Sequence, residues 1–238
     1  MIPTMLEPRI QQQFYDTADG LVQAAESLAR PVAAAVELLL AAVTGGGKLL
    51  VVGTGSAQAD ALYAAALFMG GAERPRPGLP ALTLGADPAV NAALTQAVGG
   101  AAADPAAVMA RQVHALGLPG DVLVVFEGPA ANGVPQALGP LIEAAHDREL
   151  SVVLWTAAAR EAPLSPSAEL LTDIDIHIPV RADRLAQAGT LYRLAWLALV
   201  DALDKVAPSL QFTETVKDIT LEGSGFSNGL TVSRFTLS

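Results

Sequence analysis

Short apolar runs alternate with longer stretches of helical period along most of the chain. From Leu6 to Leu28, apolar residues recur at Ile10, Phe14, Leu21, Ala24, Ala25 and Leu28, which predicts a helix. Pro31 can open a second helix, and "VAAAVELLLAAV" (Val32–Val43) reads as a strongly apolar one stopped by the glycines of "TGGGK". "LLVV" (Leu49–Val52) reads as a buried strand, followed by a helix over Ser56–Met69 that ends at Gly70 and Gly71. Then come a strand at Ala81–Leu84, a helix or loop at Asp87–Val98 and a helix at Ala106–Leu116. A strand at Val122–Phe126, a helix at Val134–Asp147 and a strand at Leu150–Thr156 follow. A partly alternating strand at Ile174–Ile178 precedes a long helix, Arg184–Val206.

This alternation predicts an α/β fold. A parallel sheet would carry helices on both faces, with right-handed crossovers. Ligands in such sheets lie beyond the carboxyl ends of the strands. Two loops occupy that place: "GTGSAQ" (Gly53–Gln58) and "EGPAAN" (Glu127–Asn132). After Pro208 the chain turns rich in Thr and Ser. Val216–Leu221 and Leu230–Leu237 alternate as strands around "GSGFSNG", which reads as a hairpin, an extended arm or a disordered tail.

Composition narrows the picture. The 238 residues are 52% hydrophobic and 16% charged, more apolar than a disordered chain and consistent with surface covered by other subunits. The formal net charge is −10 with only 14 Lys and Arg, which argues against direct nucleic-acid binding. With no cysteine, disulfides, zinc–thiolate sites and thiol nucleophiles are excluded. No signal peptide is read at the start, and the apolar stretches are read as too short or interrupted to span a bilayer. A cytoplasmic protein without membrane contact is the expectation.

The first loop has the makings of an anion site. Glycine lets backbone N–H groups approach a phosphate, a helix N-terminus is partially positive, and Thr54 and Ser56 add hydroxyls. The turn is not a Walker loop, and Gln58 stands where a third glycine of GxGxxG would be. A tight structural turn and an anion site both remain open on the residues. In the second loop Glu127 would repel phosphate, Pro129 lacks an N–H, and only Asn132 and a few amides could donate. Glu127 could meet an amine or a sugar hydroxyl, but a solvated or helix-capping role is the simpler reading. Of the three histidines, His146 reads as solvated and His177 as structural, and no pair has metal-ligand spacing.

Four segments carry a family resemblance: "GGGKLLVVGTGSAQADALYAAA", "ERPRPGLPALTL", "RQVHALGLPGDVLVV" and "TDIDIHIPVRADRLAQ". From about Leu6 to Pro208 the chain resembles SIS (sugar isomerase) domain proteins of the phosphoheptose isomerase type. "RQVHALGLPGDVLVV" is most similar to their DnaA initiator-associating branch. The resemblance implies a three-layer α/β/α sandwich with a five-stranded parallel sheet, of flavodoxin or Rossmann-like form. N-terminal helices at 6–43 and an α/β core at 48–208 would make up the SIS domain, with residues 209–238 a β-rich arm. It also implies a homodimer or homotetramer and a sugar-phosphate ligand held by Gly53, Thr54, Gly55, Ser56, Gln58, Glu127, Gly128, Asn132 and Thr156. No cofactor or metal is expected.

The departures from the family pattern shape the expected activity. The family's phosphate-binding serine position holds Ala57, and its second loop has lost every hydroxyl. The positions of its proton-transfer glutamate and histidine hold Leu67 and Gly189, or Thr190 with a one-residue shift. The resemblance with these losses leads to the expectation of a non-catalytic protein, without catalytic residues. It would bind a sugar phosphate or associate with a replication initiator. The alternative is a phosphoheptose isomerase or a diverged aldose–ketose isomerase.

Overall fold

A computed structural model describes residues 6–72, 74–128, 137–159, 161–163, 165–182, 184 and 187–206, and the backbone of 212–218 and 231–237. Five strands form one parallel sheet: β1 (Leu49–Gly53), β2 (Ala81–Thr83), β3 (Val122–Phe126), β4 (Ser151–Ala158) and β5 (Ile176–Arg181). Their order is β2-β1-β3-β4-β5. The central strands are buried on both faces, which is why they read as unbroken apolar runs.

Helices α1 (Leu6–Thr44), α2 (Gln58–Gly70) and α6 (Ala188–Val206) cover one face, with Val51, Val124, Trp155 and Ile178 beneath them. Helices α4 (Pro105–Leu116) and α5 (Gly139–Asp147) cover the other over Leu50, Leu123, Val125 and Leu154. Helix α3 (Pro88–Val98) packs beside α4 and is capped by Asp87, whose carboxylate accepts from the N–H groups of Ala89 and Val90. The expected three-layer α/β/α sandwich is therefore observed.

Some elements differ from expectation. The two N-terminal helices are one helix of 39 residues that runs through Pro31. An internal proline removes one backbone hydrogen bond. Leu28, Val32, Ala35, Val36 and Leu39 are buried on both sides of it, and this packing keeps the axis continuous. By length and composition alone α1 could cross a membrane, contrary to the sequence reading, but its buried positions belong to the sheet-covering core. Helix α2 starts at Gln58, after a short 3-10 turn at Gly55–Ala57. Strands β6 (Phe212–Asp218) and β7 (Thr231–Leu237) pair antiparallel; β6 begins four residues and ends three residues before the expected bounds, while β7 lies within one residue of them.

Candidate functional site

The strand order runs outward in both directions from the β1–β3 junction. There the chain reverses its direction of travel across the sheet, and a crevice opens at the strands' carboxyl ends. The two loops of interest leave β1 and β3 at this junction.

The first loop is a rigid turn. A Cβ on Gly53 would fall 2.1 Å from the Ala57 carbonyl oxygen, so the close approach requires glycine. The Gly53 N–H donates to Gln58 Oε1 at 3.0 Å, and Gln58 Nε2 donates to the Leu84 carbonyl at 2.9 Å. The Thr54 N–H donates to the Phe126 carbonyl at 2.9 Å. Gly55 adopts φ of 54°, a left-handed conformation suited to glycine. Gly53 and Gln58 are thus committed to the frame of the turn. Gly55 and Ser56 are exposed, and neither their N–H groups nor the Ser56 hydroxyl has a hydrogen-bond partner among the described residues. These donors lie just before α2, where an anion is favoured. Beside the turn lies a cavity of about 210 Å³ lined in part by Gly53, Thr54, Gly55, Gln58 and Gly85.

The second loop is tied to the first. The Gly128 N–H donates to Thr54 Oγ1 at 2.8 Å, and a Cβ on Gly128 would lie 2.3 Å from the Thr54 carbonyl oxygen. Glu127 is only 5% exposed, not solvated or capping as its sequence context led us to expect. Its Oε1 accepts from the Ser165 hydroxyl at 2.8 Å, while Oε2 is buried without a partner among the described residues. Burial pushes the Glu127 carboxyl up, and the Ser165 hydrogen bond offsets this in part. The Tyr192 hydroxyl on α6 donates to the Glu127 carbonyl at 2.9 Å. Asn132 lies outside the described residues.

Thr156 is fully buried, and its Oγ1 is 2.8 Å from His177 Nε2. Burial, then the Arg181 charge, lowers the His177 pKa and favours the neutral imidazole. His146 is half-buried rather than solvated, with Nε2 2.9 Å from Asp175 Oδ2. Among the described residues no group of three His, Asp or Glu could hold a metal ion.

Sequence reasoning missed one feature. Asp60, buried in the first turn of α2, accepts from Arg193 Nε on α6 at 2.7 Å. A Cβ on Gly189 would sit 3.5 Å from Asp60 Oδ2, in ordinary contact with this ion pair. A lone carboxylate in the otherwise apolar start of α2 was the available signal.

A parallel sheet in the order β2-β1-β3-β4-β5, with a glycine turn at its β1–β3 junction, defines a doubly wound α/β protein. The SIS domain family model matches residues 13–157, and the chain belongs to this family. A phosphoheptose isomerase of Methylibium petroleiphilum is 41% identical over 202 residues, spanning 84% of this chain and 94% of the relative. Another from Azoarcus sp. is 34% identical, over 82% of this chain and 93% of the relative. Among solved structures, phosphoheptose isomerase from Neisseria gonorrhoeae superposes with a TM-score of 0.71 at 28% identity, covering 84% of this chain and 99% of that one. The Francisella tularensis enzyme gives 0.72 at 26% identity, covering 83% and 97%.

These matches overturn the expectation of a non-catalytic, ligand-binding or initiator-associating protein. Relatives this similar over nearly their whole length are named as isomerases. The expectation had rested on the lost loop hydroxyls, on the "RQVHALGLPGDVLVV" segment and, for catalysis, on Leu67 and Gly189, two positions on helices. The fold buries another titratable side chain at the carboxyl end of a strand, Glu127 beyond β3, and a comparison of two helix positions leaves it out.

Proposed function

We propose that this chain is an aldose–ketose isomerase of the phosphoheptose isomerase type, interconverting sedoheptulose 7-phosphate and a heptose 7-phosphate. The observation that carries this reading is the 41% identity to a phosphoheptose isomerase across 94% of that enzyme's length. The site is compatible with it. The open amides and hydroxyl at Gly55 and Ser56 suit a phosphoryl group, aided by the positive end of α2. The Gly128–Thr54 hydrogen bond that holds the two loops together supports a sugar lying beside them. Isomerisation requires a group that moves a proton between adjacent carbons. Leu67 and Gly189 carry none, so the group must stand elsewhere in the crevice.

The enzyme would be cytoplasmic and a homodimer or homotetramer. Ile10, Phe14 and Tyr15 on α1 are exposed, and an apolar groove of about 380 Å³ runs between α1 and α6 past Leu21, Leu28 and Leu194. Such continuous apolar surface is characteristic of subunit contacts.

The test is incubation of the purified chain with sedoheptulose 7-phosphate, followed by NMR of the sugar. Appearance of the aldose, with turnover reduced in Ser56→Ala chiefly through a higher KM, is expected. No conversion at enzyme concentrations that saturate with the sugar phosphate would refute the reading.

A further inference from the structure

We infer that Glu127, at the carboxyl end of β3, is the catalytic residue that moves the proton between the two carbons of the sugar. The inference rests on the isomerase reading above and supplies the group that Leu67 and Gly189 cannot provide.

Place is the first argument. Glu127 is the first residue beyond β3, at the junction where ligands of such sheets bind. The Gly128–Thr54 hydrogen bond ties it to the phosphate turn on the neighbouring strand. Adjacent strands lie about 4.8 Å apart. A linear sugar phosphate anchored at Gly55 and Ser56 therefore reaches β3 and β4 with its carbonyl end, one to two strand spacings away.

Valence is the second argument. Buried polar atoms in folded proteins almost always have a partner. One carboxyl oxygen of Glu127 has Ser165; the other has none among the described residues. A packing role would be served better by an apolar side chain, and a purely structural carboxyl would use both oxygens. The unpartnered oxygen fits a group whose partner is the bound molecule. The backbone ladder continues from β3 to β4 through the Glu127 N–H and the Trp155 carbonyl, which puts Glu127 beside Thr156 on one sheet face. Thr156, opposite Glu127 in that register, is fully buried, with its hydroxyl 2.8 Å from His177 Nε2.

Chemistry is the third. Burial raises the basicity of the Glu127 carboxylate, as a base working near neutral pH requires. The carboxylate takes the proton from the carbon beside the carbonyl. The C–H electron pair becomes the double bond of an enediolate, the carbonyl π pair moves onto its oxygen, and that oxygen takes the proton of the neighbouring hydroxyl, whose own oxygen keeps the negative charge. The carboxylic acid then returns its proton to the other carbon, and the carbonyl re-forms beside it. One C–H bond breaks and one forms, no redox partner is needed, and Glu127 ends as it began.

The test compares the full-length wild type with Glu127→Gln, using sedoheptulose 7-phosphate in deuterated water. Wild type should carry solvent deuterium into the sugar at the carbons that exchange. The Gln side chain keeps the Ser165 hydrogen bond and the volume but cannot take a proton. Turnover and exchange should fall by roughly 10²–10⁴-fold, with KM within a few-fold and the melting temperature no lower than wild type. The wild-type pH–rate profile should also show an acid limb above the ordinary carboxylate range. The groups facing Glu127 are Ser165, Tyr192 on α6 and, through Thr156, His177 on β5, with Asp60 and Arg181 farther off. A His177→Gln variant that keeps this limb assigns it to Glu127, and its disappearance in that variant overturns the assignment. Glu127→Gln retaining more than a tenth of turnover overturns the inference while leaving the isomerase reading standing. A lowered melting temperature with raised KM shows a structural role and also overturns it. Wild type without conversion or exchange sinks both.

Discussion

Replacing Gly53 with alanine probes the turn on which the whole site depends. The added methyl would lie 2.1 Å from the Ala57 carbonyl oxygen, 2.4 Å from its carbon and 2.5 Å from the Gln58 Cα. All three are backbone atoms, so no side chain can swing aside. The turn must open, and the Gly53 N–H to Gln58 Oε1 bond lengthens or breaks. Overpacking costs about 1–3 kcal/mol, and the lost hydrogen bond adds about 1 kcal/mol. A total of about 2–4 kcal/mol lowers the melting temperature of a chain this size by about 5–15 °C. Opening also displaces the Gly55 and Ser56 amides, so sugar-phosphate binding should weaken at least about tenfold, the equivalent of 1.4 kcal/mol. Thermal unfolding with and without sugar phosphate measures both effects. Gly20→Ala is the control: nothing lies within 4 Å of that Cβ, and the site is helical, so a gain of about 0.5–1 kcal/mol is expected. A Gly53→Ala protein that melts within 2 °C of wild type, on the order of 1 kcal/mol, and binds as tightly would refute the account of the turn.

Four further outcomes follow from buried groups. Arg76 and Asp204 form an ion pair buried on both sides, and Asp204 also accepts from the Ala72 N–H. Asp204→Ala strands the guanidinium and should cost about 3–5 kcal/mol by denaturant unfolding, whereas the double change Arg76→Met with Asp204→Leu should recover most of that loss. Glu127 binds its proton more tightly folded than unfolded, so stability falls as pH rises from about 4.3 through its raised folded value. Glu127→Gln should abolish this slope and be the more stable protein above that window. His177 works in the opposite sense: its lowered folded pKa means stability is lost as pH falls below about 6.5, and His177→Gln should flatten that loss. Melting temperatures across pH 4–8 for the three proteins check both signs. Trp155→Ala removes the ring that stacks on Phe126 at 5.3 Å and should cost about 3–5 kcal/mol by urea unfolding.

Much of the architecture was legible in the chain because buried parallel strands leave a local mark. Val122–Phe126 is a five-residue apolar run bounded by turn residues, and β3 has those same bounds. The glycine turn after "LLVV" was legible for a similar reason, since Gly53 and Gly55 answer local steric demands. The continuity of α1 through Pro31 was not, because a proline signals a break locally while the packing of Val32 and Leu39 against the sheet acts from elsewhere. Glu127 was misplaced for the same kind of reason. Next to glycine and proline it resembles a surface loop residue, and only the tertiary fold buries its carboxyl, with Ser165 on one oxygen and Tyr192 on the backbone carbonyl.

Sequence periodicity alone therefore determined the order of the sheet strands and their crossover helices along the chain, the parallel α/β architecture and the place of the glycine turn. Tertiary structure decided which polar side chains meet. Asp60 pairs with Arg193, Arg76 with Asp204 and Thr156 with His177, all across long stretches of chain. The physical reason is range: backbone sterics and apolar period act over a few residues, whereas burial, pairing and the basicity of a carboxyl depend on what the sheet order brings beside it.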